Sequence, residues 1–348
     1  MSHKKHIILE NDTIKSALTM LDALAVDAIL FTTNSKGKLT GSLTDGDVRR
    51  GFMKGASIED PVSSVSFKKP KSIKREQLSV AELVAFRDTK VGVLPILDAE
   101  NTIVDVINFR LRKSLLPLDV VIMAGGKGIR LRPLTEKLPK PLLKVGEKSI
   151  LEYNLLRFES YGVKSIHITT NYLAEKIDFF IKKLKDDYRT PIKTKKEDRY
   201  LGTIGAVRLI EDINQDYVLI SNSDLLTNLD YEAFFLDFIN HDADMSVVSI
   251  PYRIQIPYAI MDIKENYVES FQEKPNYTYL SNGGIYLIKK ELIKKIPENE
   301  PFSATDLMQL MLTEKRRIRT FTHNGYWLDI GQHQDYEKAQ EDIKTLKL

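Results

Sequence analysis

The chain has 348 residues, of which 43% are apolar and 28% are charged, and its 51 basic and 48 acidic side chains leave a net charge of +3. This length predicts two or three domains, and the nearly balanced charge gives no indication of a nucleic-acid or anionic-membrane partner. Because the sequence contains no cysteine, disulfides, thiolate catalysis and cysteine metal sites are excluded.

The N-terminus carries no recognisable export signal. The apolar run at residues 7–9 is too short for a signal-peptide core, and no run approaches the roughly 18 apolar residues of a membrane span. A cytoplasmic protein without a membrane partner is therefore expected. His3 and His6 have a spacing that a metal site could use, but a disordered terminus is the favoured interpretation.

The first 116 residues contain a repeat with an offset of about 64 residues. In the first repeat, residues 1–66, the pattern predicts a helix at 14–24, strands at 28–33 and 39–43, and a short helix at 48–53. In the second repeat, residues 67–116, it predicts a helix at 79–86, strands at 92–97 and 103–107, and a helical turn at 108–112. Two β-α-β-β-α units in tandem are expected.

The first repeat contains the segment Gly41-Ser-Leu-Thr-Asp-Gly-Asp47 at the end of its second predicted strand. Together with the repeat, this segment resembles tandem CBS domains, a family named after cystathionine β-synthase. The resemblance implies a regulatory module that forms a homodimer or higher homo-oligomer, with Thr44 and Asp47 binding AMP, ADP or ATP. The second repeat has Asn108 and Leu111 at these positions, so at most one such site is expected. A pair that binds nothing and only dimerises is the alternative.

Residues 119–146 form the most informative stretch. An apolar run at 120–124 predicts a buried strand, and Gly125-Gly126-Lys127-Gly128 follows directly. Glycines let the backbone turn sharply, and the N–H groups of such a loop can point together at an anion. Arg130 and Lys140 add cations nearby. The stretch therefore predicts a polyphosphate site.

This loop is neither a P-loop nor a dinucleotide-binding fingerprint, because the required residues do not follow at the required spacing. Residues 125–141 instead resemble the signature of the nucleotide-sugar pyrophosphorylases, or sugar-1-phosphate nucleotidyltransferases, G-G-x-G-T-R-L-x-P-L-T-x-x-x-P-K-P. Ile129 stands where that family has threonine, which removes a hydroxyl near the triphosphate and leaves the fine nucleotide contacts open.

The rest of the chain predicts a doubly wound, Rossmann-like α/β domain (GT-A-like by the family resemblance) over residues 117–348, after the CBS pair at 1–116. Predicted helices lie at 151–161, 174–184, 207–212, 305–313 and 334–346. Predicted strands lie at 165–170, 191–193, 217–221, 245–251, 259–263, 267–272 and 284–288, with a loop at 194–200. Ligands of such sheets bind beyond the carboxyl ends of the strands.

Four later segments also resemble this family, in the order that the family has them: residues 201–206, 222–224, 273–286 and 326–331. The resemblance implies roles for fourteen residues. Catalytic residues are Arg130, Lys140, Asp224 and Asp329, the two aspartates also being the metal ligands. Nucleotide-binding residues are Ala124, Gly125, Gly126, Gly128, Gly202 and Thr203, and sugar-phosphate-binding residues are Glu273, Lys274, Asn282 and Gly283.

The predicted reaction is the Mg²⁺-dependent transfer of a nucleotidyl group from a nucleoside triphosphate to a sugar 1-phosphate, which gives a nucleotide sugar and pyrophosphate. The loop looks most like that of the guanylyltransferases. The fusion of a CBS pair to this catalytic type resembles the guanylyltransferases of bacterial nonulosonic (legionaminic) acid pathways. GTP and glucosamine 1-phosphate are therefore favoured. UTP, dTTP or CTP, another hexose 1-phosphate, or a catalytically inactive nucleotide-sugar sensor are the alternatives.

Overall fold

The computed structural model describes residues 3–346, and for residues 3 and 185 it describes the backbone alone. The chain divides into two compact units, one up to Leu115 and one from Leu116 on, one residue from the boundary predicted between 116 and 117. In the described part of the chain, no helix combines the length and the apolar character needed to cross a membrane.

The N-terminal unit contains two small sheets with the same internal order. Its strands are β1 (Ile7–Leu9), β2 (Ile29–Thr33), β3 (Leu39–Thr44), β4 (Ile73–Lys74), β5 (Val93–Leu97) and β6 (Ile103–Asn108), and its helices are α1 (Ile14–Leu24), α2 (Asp45–Met53) and α3 (Val80–Asp88). Both sheets, β1-β2-β3 and β4-β5-β6, have a parallel pair followed by an antiparallel pair. The predicted repeat is thus present in the fold.

The registers of the two hairpins explain the sequence offset. Ile29 pairs with Thr44 in the first sheet, and Val93 pairs with Asn108 in the second, an offset of 108 − 44 = 64 residues. The two hairpin turns also pair with each other through a bridge between Lys38 and Thr102. Apolar residues of both repeats, including Phe31, form a common buried cluster. The repeats therefore fold as one unit.

The second repeat differs from the first after its last strand. Thr44 and Asp47 form a capping box that starts α2, in which the Thr44 side chain accepts from Asp47 N. At the matching position, the Asn108 side chain accepts from Arg110 N at 3.0 Å, and Leu111 has no polar group for a cap. The N–H of Arg112 donates to Asn108 O at 2.8 Å and closes a single helical turn. This turn occupies the position that α2 has in the first repeat.

The start of the chain is more ordered than predicted. A 3-10 helix spans His3–His6, the His6 ring is 2% exposed, and its Nδ1 lies 2.9 Å from Ile29 O. The expectation of a disordered terminus is therefore wrong at His6, because burial against β2 fixes this residue. The side chain of His3 lies outside the described residues.

The C-terminal unit contains one large sheet and several two-stranded pairs. Its strands are β7 (Leu118–Ala124), β8 (Lys144–Val145), β9 (Lys148–Ser149), β10 (Ser165–Thr170), β11 (Ile192–Lys196), β12 (Tyr217–Asn222), β13 (Leu225–Thr227), β14 (Met245–Gln255), β15 (Ile260–Lys264), β16 (Tyr267–Gln272), β17 (Asn276–Lys289), β18 (Ile318–Thr322) and β19 (Trp327–Asp329). Its helices are α4 (Ile150–Ser160), α5 (Ala174–Leu184), α6 (Tyr231–Asn240), α7 (Ala304–Thr313) and α8 (His333–Asp342).

The large sheet has the order β11-β10-β7-β12-β17-β14-β18, and β17 is its antiparallel member. Three successive residues of β7, Val120, Val121 and Ile122, are each 0% exposed. Because successive strand residues face opposite sides, both faces of the sheet are covered here, as in doubly wound α/β folds. The predicted α/β class is confirmed for this unit.

Strands β14 and β17 are longer than predicted and leave the sheet together. Residues 252–255 of β14 pair with 276–279 of β17 beyond the last residue of β12, and the hairpin of β15 and β16 lies between them. We call residues 252–279 the arm. Because β17 is antiparallel to β12, the arm extends past the carboxyl end of β12.

Three further details differ from the sequence-based expectation. The helix predicted at 207–212 is a 3-10 helix at Gly205–Leu209, because the N–H groups of Ile204 and Gly205 both donate to Phe302 O and hold the chain there. The loop predicted at 194–200 begins after Lys196, since β11 pairs with β10 along its full length. Helix α6 was not predicted.

Candidate active site

The glycine loop leaves the sheet at the carboxyl end of β7. Ala124 is the last residue of that strand and is 1% exposed. Gly128 has φ 60°, and the Thr135 hydroxyl donates to its carbonyl oxygen at 2.7 Å. A side chain at Gly128 would be strained by that φ and would also place its Cβ 3.0 Å from Thr135 Cγ2. Glycine is therefore required at this turn.

The two predicted metal ligands lie side by side. Asp224 follows β12, and Asp329 ends β19, which pairs with β13 so that Leu225 is opposite Asp329. Ile330 N donates to Asp224 O at 3.1 Å, which fixes the two backbones against each other. Two segments about a hundred residues apart in sequence thus bring two carboxylates to one point.

Lys140 lies between these carboxylates. Its ammonium donates to Asp224 Oδ2 and lies 3.8 Å from Asp329 Oδ1, and its side chain is 12% exposed. Burial, and then the charge of Asp224, raise the pKa of Asp329 to about 6, although Lys140 and Arg130 act in the opposite direction. The single ammonium of Lys140 therefore does not fully offset the burial of Asp329 and its repulsion by Asp224.

The aspartate pair fits Mg²⁺. Asp224 Oδ1 and Asp329 Oδ1 are buried, and neither has a hydrogen-bond partner. Among residues 3–346, no group of three His, Asp or Glu side chains is placed to hold a metal. Mg²⁺ often uses only one or two carboxylates and takes its other ligands from phosphates and water, so two carboxylate oxygens that accept no hydrogen bond beside the glycine loop are an adequate protein contribution.

A cavity of about 730 Å³ opens beside these groups. Its lining includes nine of the predicted site residues, namely Gly125, Gly126, Gly128, Arg130, Lys140, Gly202, Thr203, Asp224 and Asp329. It also includes residues that were not predicted, namely Met123, Pro141, Asn171, Glu197, Tyr200, Asn222, Ser223 and Gly331, together with the loop residues Lys127 and Ile129. Ala124 lies behind the loop and is absent from this lining.

The second glycine loop forms one wall of the cavity. Gly202 has φ 78°, and a Cβ there would lie 2.7 Å from Phe302 O. Thr203 Oγ1 accepts from Ala304 N at 3.0 Å, so the hydroxyl holds the loop against the start of α7. Glycine is thus needed at position 202 so that the loop can pack closely against Phe302. Gly202 and Thr203 both line the cavity.

Glu197 is the main functional candidate that the sequence pattern did not reveal. It is 1% exposed, its Oε2 accepts from Leu201 N at 3.0 Å, and burial raises the pKa of its carboxyl. A Cβ on Gly125 would lie 2.5 Å from its Oε1, and no described residue donates a hydrogen bond to that oxygen. A carboxylate so close to the glycine loop suggests a ligand contact. Its position five residues before Gly202 was the available signal.

The predicted sugar-phosphate residues lie apart from the cavity. Glu273 and Lys274 lie in the arm with side chains 64% and 63% exposed, 4.0 Å from each other. Asn282 accepts from Gly284 N at 2.9 Å, and Gly283 O accepts from Trp327 Nε1 at 2.9 Å. None of the described cavity residues comes from this group. The predicted nucleotide side thus comes together in one cavity, and the four predicted sugar-phosphate residues lie outside its lining.

Thr44 and Asp47 lie in the other unit, at the start of α2. The Thr44 hydroxyl donates to Asp47 Oδ2 at 2.6 Å, and Asp47 Oδ1 accepts from Arg50 at 2.6 Å. The N-terminal unit has a cavity of about 520 Å³ whose lining includes Asp27 and Arg110, and neither Thr44 nor Asp47 is among the described residues that line it. Local helix capping already occupies both side chains.

Comparison with known proteins assigns the C-terminal unit. The family model described as nucleotidyl transferase matches residues 119–345. The mannose-1-phosphate guanyltransferase of Schizosaccharomyces pombe is 29% identical over 228 residues, which is 63% of this chain and 62% of that protein. The bifunctional protein GlmU of Methanocaldococcus jannaschii is 30% identical over 232 residues, 64% of this chain and 54% of that protein. The chain thus spans less than two thirds of these curated relatives.

Solved structures give the same fold. HddC from Yersinia pseudotuberculosis is 28% identical, with a TM-score of 0.51 over 65% of this chain and 99% of that one. The complex of the same protein with GMP-PN has a TM-score of 0.50. These matches, together with the family match over 227 of 348 residues (119–345), show that the chain belongs to the nucleotidyl transferase family.

Proposed function

We propose that the chain is a Mg²⁺-dependent sugar-1-phosphate nucleotidyltransferase. The observation that carries this proposal is the convergence on one cavity of the glycine loop, Lys140 and two carboxylates whose Oδ1 atoms accept no hydrogen bond. An inactive sensor of nucleotide sugars would need the cavity, but it would not need two acids held together against their mutual repulsion. The predicted enzyme class agrees with the names of the relatives.

In this reaction, an oxygen of the sugar 1-phosphate attacks the α-phosphorus of the triphosphate. A new P–O bond forms as the bond to the β-phosphate oxygen breaks, and pyrophosphate leaves with the electron pair. No general base is needed, because the nucleophile is already an anion. The barrier comes from bringing two anions together, and positioning alone can lower it by roughly 7–11 kcal/mol.

The residues of the cavity supply positioning and charge. The N–H groups of Gly125, Gly126 and Gly128 face the phosphates, and Arg130 contacts the departing β- and γ-phosphates. Lys140 offsets charge at the reacting phosphate. Asp224 and Asp329 would hold Mg²⁺, whose chemistry there is to neutralise phosphate charge.

GTP is the proposed nucleotide, and Glu197 is the proposed contact to its base. Guanine has two adjacent donors, N1–H and the 2-amino group, whereas uracil, thymine, cytosine and adenine do not have two donors side by side. A carboxylate has only acceptors, so Glu197 can accept from both guanine donors. The guanyltransferase names of the relatives and the GMP-PN complex of HddC agree with this choice.

Glu197→Gln tests the assignment of the base. An amide cannot accept from both guanine donors, so kcat/KM for GTP should fall roughly 5- to 150-fold, the value of one bidentate base contact of about 1–3 kcal/mol. Because an amide can both donate and accept, the relative use of UTP should rise. The neighbouring exposed Asp198→Asn is the matched control and should behave as wild type. An unchanged preference for GTP in Glu197→Gln would contradict this role.

The sugar stays a prediction. Glucosamine 1-phosphate, as in the nonulosonic (legionaminic) acid type, was favoured by the family resemblance. The mannose-1-phosphate guanyltransferase relatives make mannose 1-phosphate the main competitor. Product analysis by ³¹P NMR with each sugar phosphate would identify the pyrophosphate linkage of the nucleotide sugar. A wild-type chain that gives this product only with mannose 1-phosphate would remove the glucosamine assignment.

The N-terminal unit is proposed to be a CBS pair that regulates the enzyme. Its two β-α-β-β repeats and their joint core support the architecture. Binding of AMP, ADP or ATP by Thr44 and Asp47 requires these side chains to give up the capping contacts that they now make with each other and with Arg50. Isothermal titration of the full chain with each nucleotide tests this prediction.

A further inference from the structure

Three neighbouring strands of the large sheet end side by side at the glycine loop. Thr170 of β10 pairs with Ala124 of β7 on one side and with Lys196 of β11 on the other, and each of the three is the last residue of its strand. The first residues beyond these strand ends are Gly125, Asn171 and Glu197. Because β10 is the middle strand, Asn171 lies between the glycine and the carboxylate.

These three residues border one gap. A Cβ on Gly125 would lie 2.5 Å from Glu197 Oε1 and 3.4 Å from Asn171 Cβ. Asn171 Nδ2 donates to the backbone oxygen of Glu197 at 3.1 Å, and Glu197 N donates to Thr170 O at 2.7 Å, so the ends of β10 and β11 are fixed against each other. The missing Cβ of Gly125 therefore leaves a space that a carboxylate and an amide both adjoin.

Asn171 has hydrogen-bonding groups that the fold does not use. A primary amide has two N–H donors and one carbonyl acceptor. One N–H is bonded to Glu197 O, and no described residue is recorded as a partner of the other N–H or of Oδ1. The side chain is half-buried and lines the cavity. These two groups are therefore available to a molecule bound in the cavity.

Guanine has three hydrogen-bonding groups in a row along one edge. The 2-amino group and N1–H are donors, which the proposed function assigns to Glu197, and O6 beside N1 is an acceptor. A carboxylate has no donor to offer to O6, whereas the amide of Asn171 beside it has one. Glu197 and Asn171 together thus complement all three groups of that edge.

We propose that Asn171 is a second residue that recognises the base, and that its amide N–H donates to O6 of guanine. This inference rests on the proposed function, because it takes guanine as the base and Glu197 as its partner. Adenine has an amino group in place of O6, so the amide N–H would there face another donor. A site built to bond one polar group rejects an analogue that cannot form the bond. Asn171 thus determines specificity at position 6 of the purine, and Glu197 at positions 1 and 2.

Nucleotide binding tests this role without turnover. Isothermal titration with Mg²⁺ and without sugar 1-phosphate gives the Kd of the full chain for GTP and for three analogues. In 6-thio-GTP, sulfur, a weak acceptor, replaces O6; inosine triphosphate lacks the 2-amino group; and 2′-deoxy-GTP lacks a ribose hydroxyl. The wild-type chain should bind GTP about 2- to 12-fold more tightly than 6-thio-GTP, which is the value of one hydrogen bond.

Asn171→Asp keeps the size of the side chain but removes both donors, so a purely steric effect of the sulfur would survive in it. In Asn171→Asp and in Asn171→Ala, the preference for GTP over 6-thio-GTP should be lost. The preference for GTP over inosine triphosphate, which depends on Glu197, should remain. Asn214→Ala is the matched control and should keep every wild-type ratio. The Asn214 amide also donates to a backbone oxygen, Asp212 O at 3.0 Å, but it is exposed and is not among the described residues of the cavity.

Three results would overturn the role of Asn171. Loss of affinity by the same factor for every nucleotide would mean that the side chain only supports the fold of this edge. A change confined to the preference for GTP over 2′-deoxy-GTP would move the contact to the ribose. Equal binding of GTP and 6-thio-GTP by the wild type would mean that nothing contacts O6.

The same titrations separate this inference from the proposed function. If both Asn171 variants still distinguish 6-thio-GTP from GTP while the wild type releases pyrophosphate, the inference is wrong and the proposed function stands. If the variants lose that distinction but the wild type releases no pyrophosphate with any sugar 1-phosphate, Asn171 recognises guanine and only the proposed catalytic function fails.

Discussion

At the scale of single residues, the site depends on two carboxylates that one ammonium holds together. Lys140 contacts Asp224 and lies 3.8 Å from Asp329, while the Oδ1 atom of each acid accepts no hydrogen bond. Buried polar atoms without partners cost free energy and mark either strain or a missing ligand. The proposed divalent cation beside the glycine loop would bind both oxygens. The acids are therefore expected to matter for turnover far more than for folding.

Asp224→Asn and Asp329→Asn should each reduce kcat by roughly 10²–10³-fold, the usual loss when one preorganised electrostatic contact is removed from a transition state. The melting temperature should not fall, since each substitution relieves charge repulsion within the pair. Steady-state rates at saturating substrates, over a titration of Mg²⁺, measure the first effect. Near-normal rates in both variants at limiting Mg²⁺ would remove the metal assignment.

The sequence revealed these residues because each lies within a short motif that resembles the family's pattern. Gly125, Gly126, Gly128, Arg130, Lys140, Asp224 and Asp329 were all predicted, and all line one cavity. Glu197 was missed because it lies in the stretch 194–200, which was predicted only as a loop. Its burial arises from packing against Gly125, which is more than 70 residues away in sequence, and no local pattern encodes such a contact.

At the scale of elements, the parallel strands place the site. β7, β12 and β10 end at one edge, and their carboxyl ends carry the glycine loop, Asn222 and Asn171. Buried polar side chains also occur inside the sheet. His167 of β10 is 3% exposed, lies 2.8 Å from Ser165 Oγ through its Nε2, and lies 3.5 Å from Asp212. Such a residue links the stability of the sheet to pH.

Burial lowers the pKa of His167 below its ordinary value of 6.5, although Asp212 and Asp119 act in the opposite direction. The unfolded chain therefore binds more protons than the folded chain in the pH range just below 6.5. The free energy of unfolding should fall as the pH falls through that range, because folding must then exclude a proton from the ring.

Comparison of wild type with His167→Gln isolates this effect. Urea denaturation at pH 7.5 and at pH 5.5 should show a larger loss of stability for the wild type than for the variant. His241→Gln, at a side chain that is 50% exposed, is the control and should follow the wild type. Equal pH dependence in wild type and His167→Gln would show that the ring is not the source of the effect.

Element ends and extended ribbons were the hardest features to predict. The strands at 245–251 and 284–288 were located correctly, but β14 and β17 continue to Gln255 and back to Asn276. Residues 252–255 and 276–279 pair only with each other. Their alternation of apolar and polar side chains is hard to distinguish, in the sequence, from a loop that contains aromatic residues. The arm became visible only when the exposure of its apolar face could be measured.

At the scale of the whole molecule, the chain joins a repeat-containing unit to a nucleotidyl transferase unit. If the N-terminal unit is a nucleotide-binding regulator, an adenine nucleotide should alter catalysis by GTP and sugar phosphate. Coupling between binding sites is typically about 1–3 kcal/mol, or roughly 5- to 150-fold in affinity, and it is reciprocal. The substrates should then shift the affinity for the effector by the same factor.

Asp47→Ala should abolish the response to AMP, ADP or ATP and leave the basal rate unchanged. Because Asp47 also caps α2, Arg50→Ala is the companion variant: it removes the ion pair on Asp47 but keeps the capping box. Titration of substrate with and without 1 mM effector, on the order of cellular nucleotide levels, measures the coupling through the shift in affinity. No response in the wild type would leave the unit as a dimerisation module.

The central claim is that this cavity joins a nucleoside triphosphate to a sugar 1-phosphate. Pyrophosphate release by the wild-type chain, with GTP, UTP, dTTP, CTP and ATP each tested against glucosamine 1-phosphate, mannose 1-phosphate and glucose 1-phosphate, is the most direct measurement. Release should require Mg²⁺ and both substrates, with the highest kcat/KM for GTP. Binding of a nucleotide sugar without pyrophosphate release from any pair would contradict it and would identify the chain as a sensor.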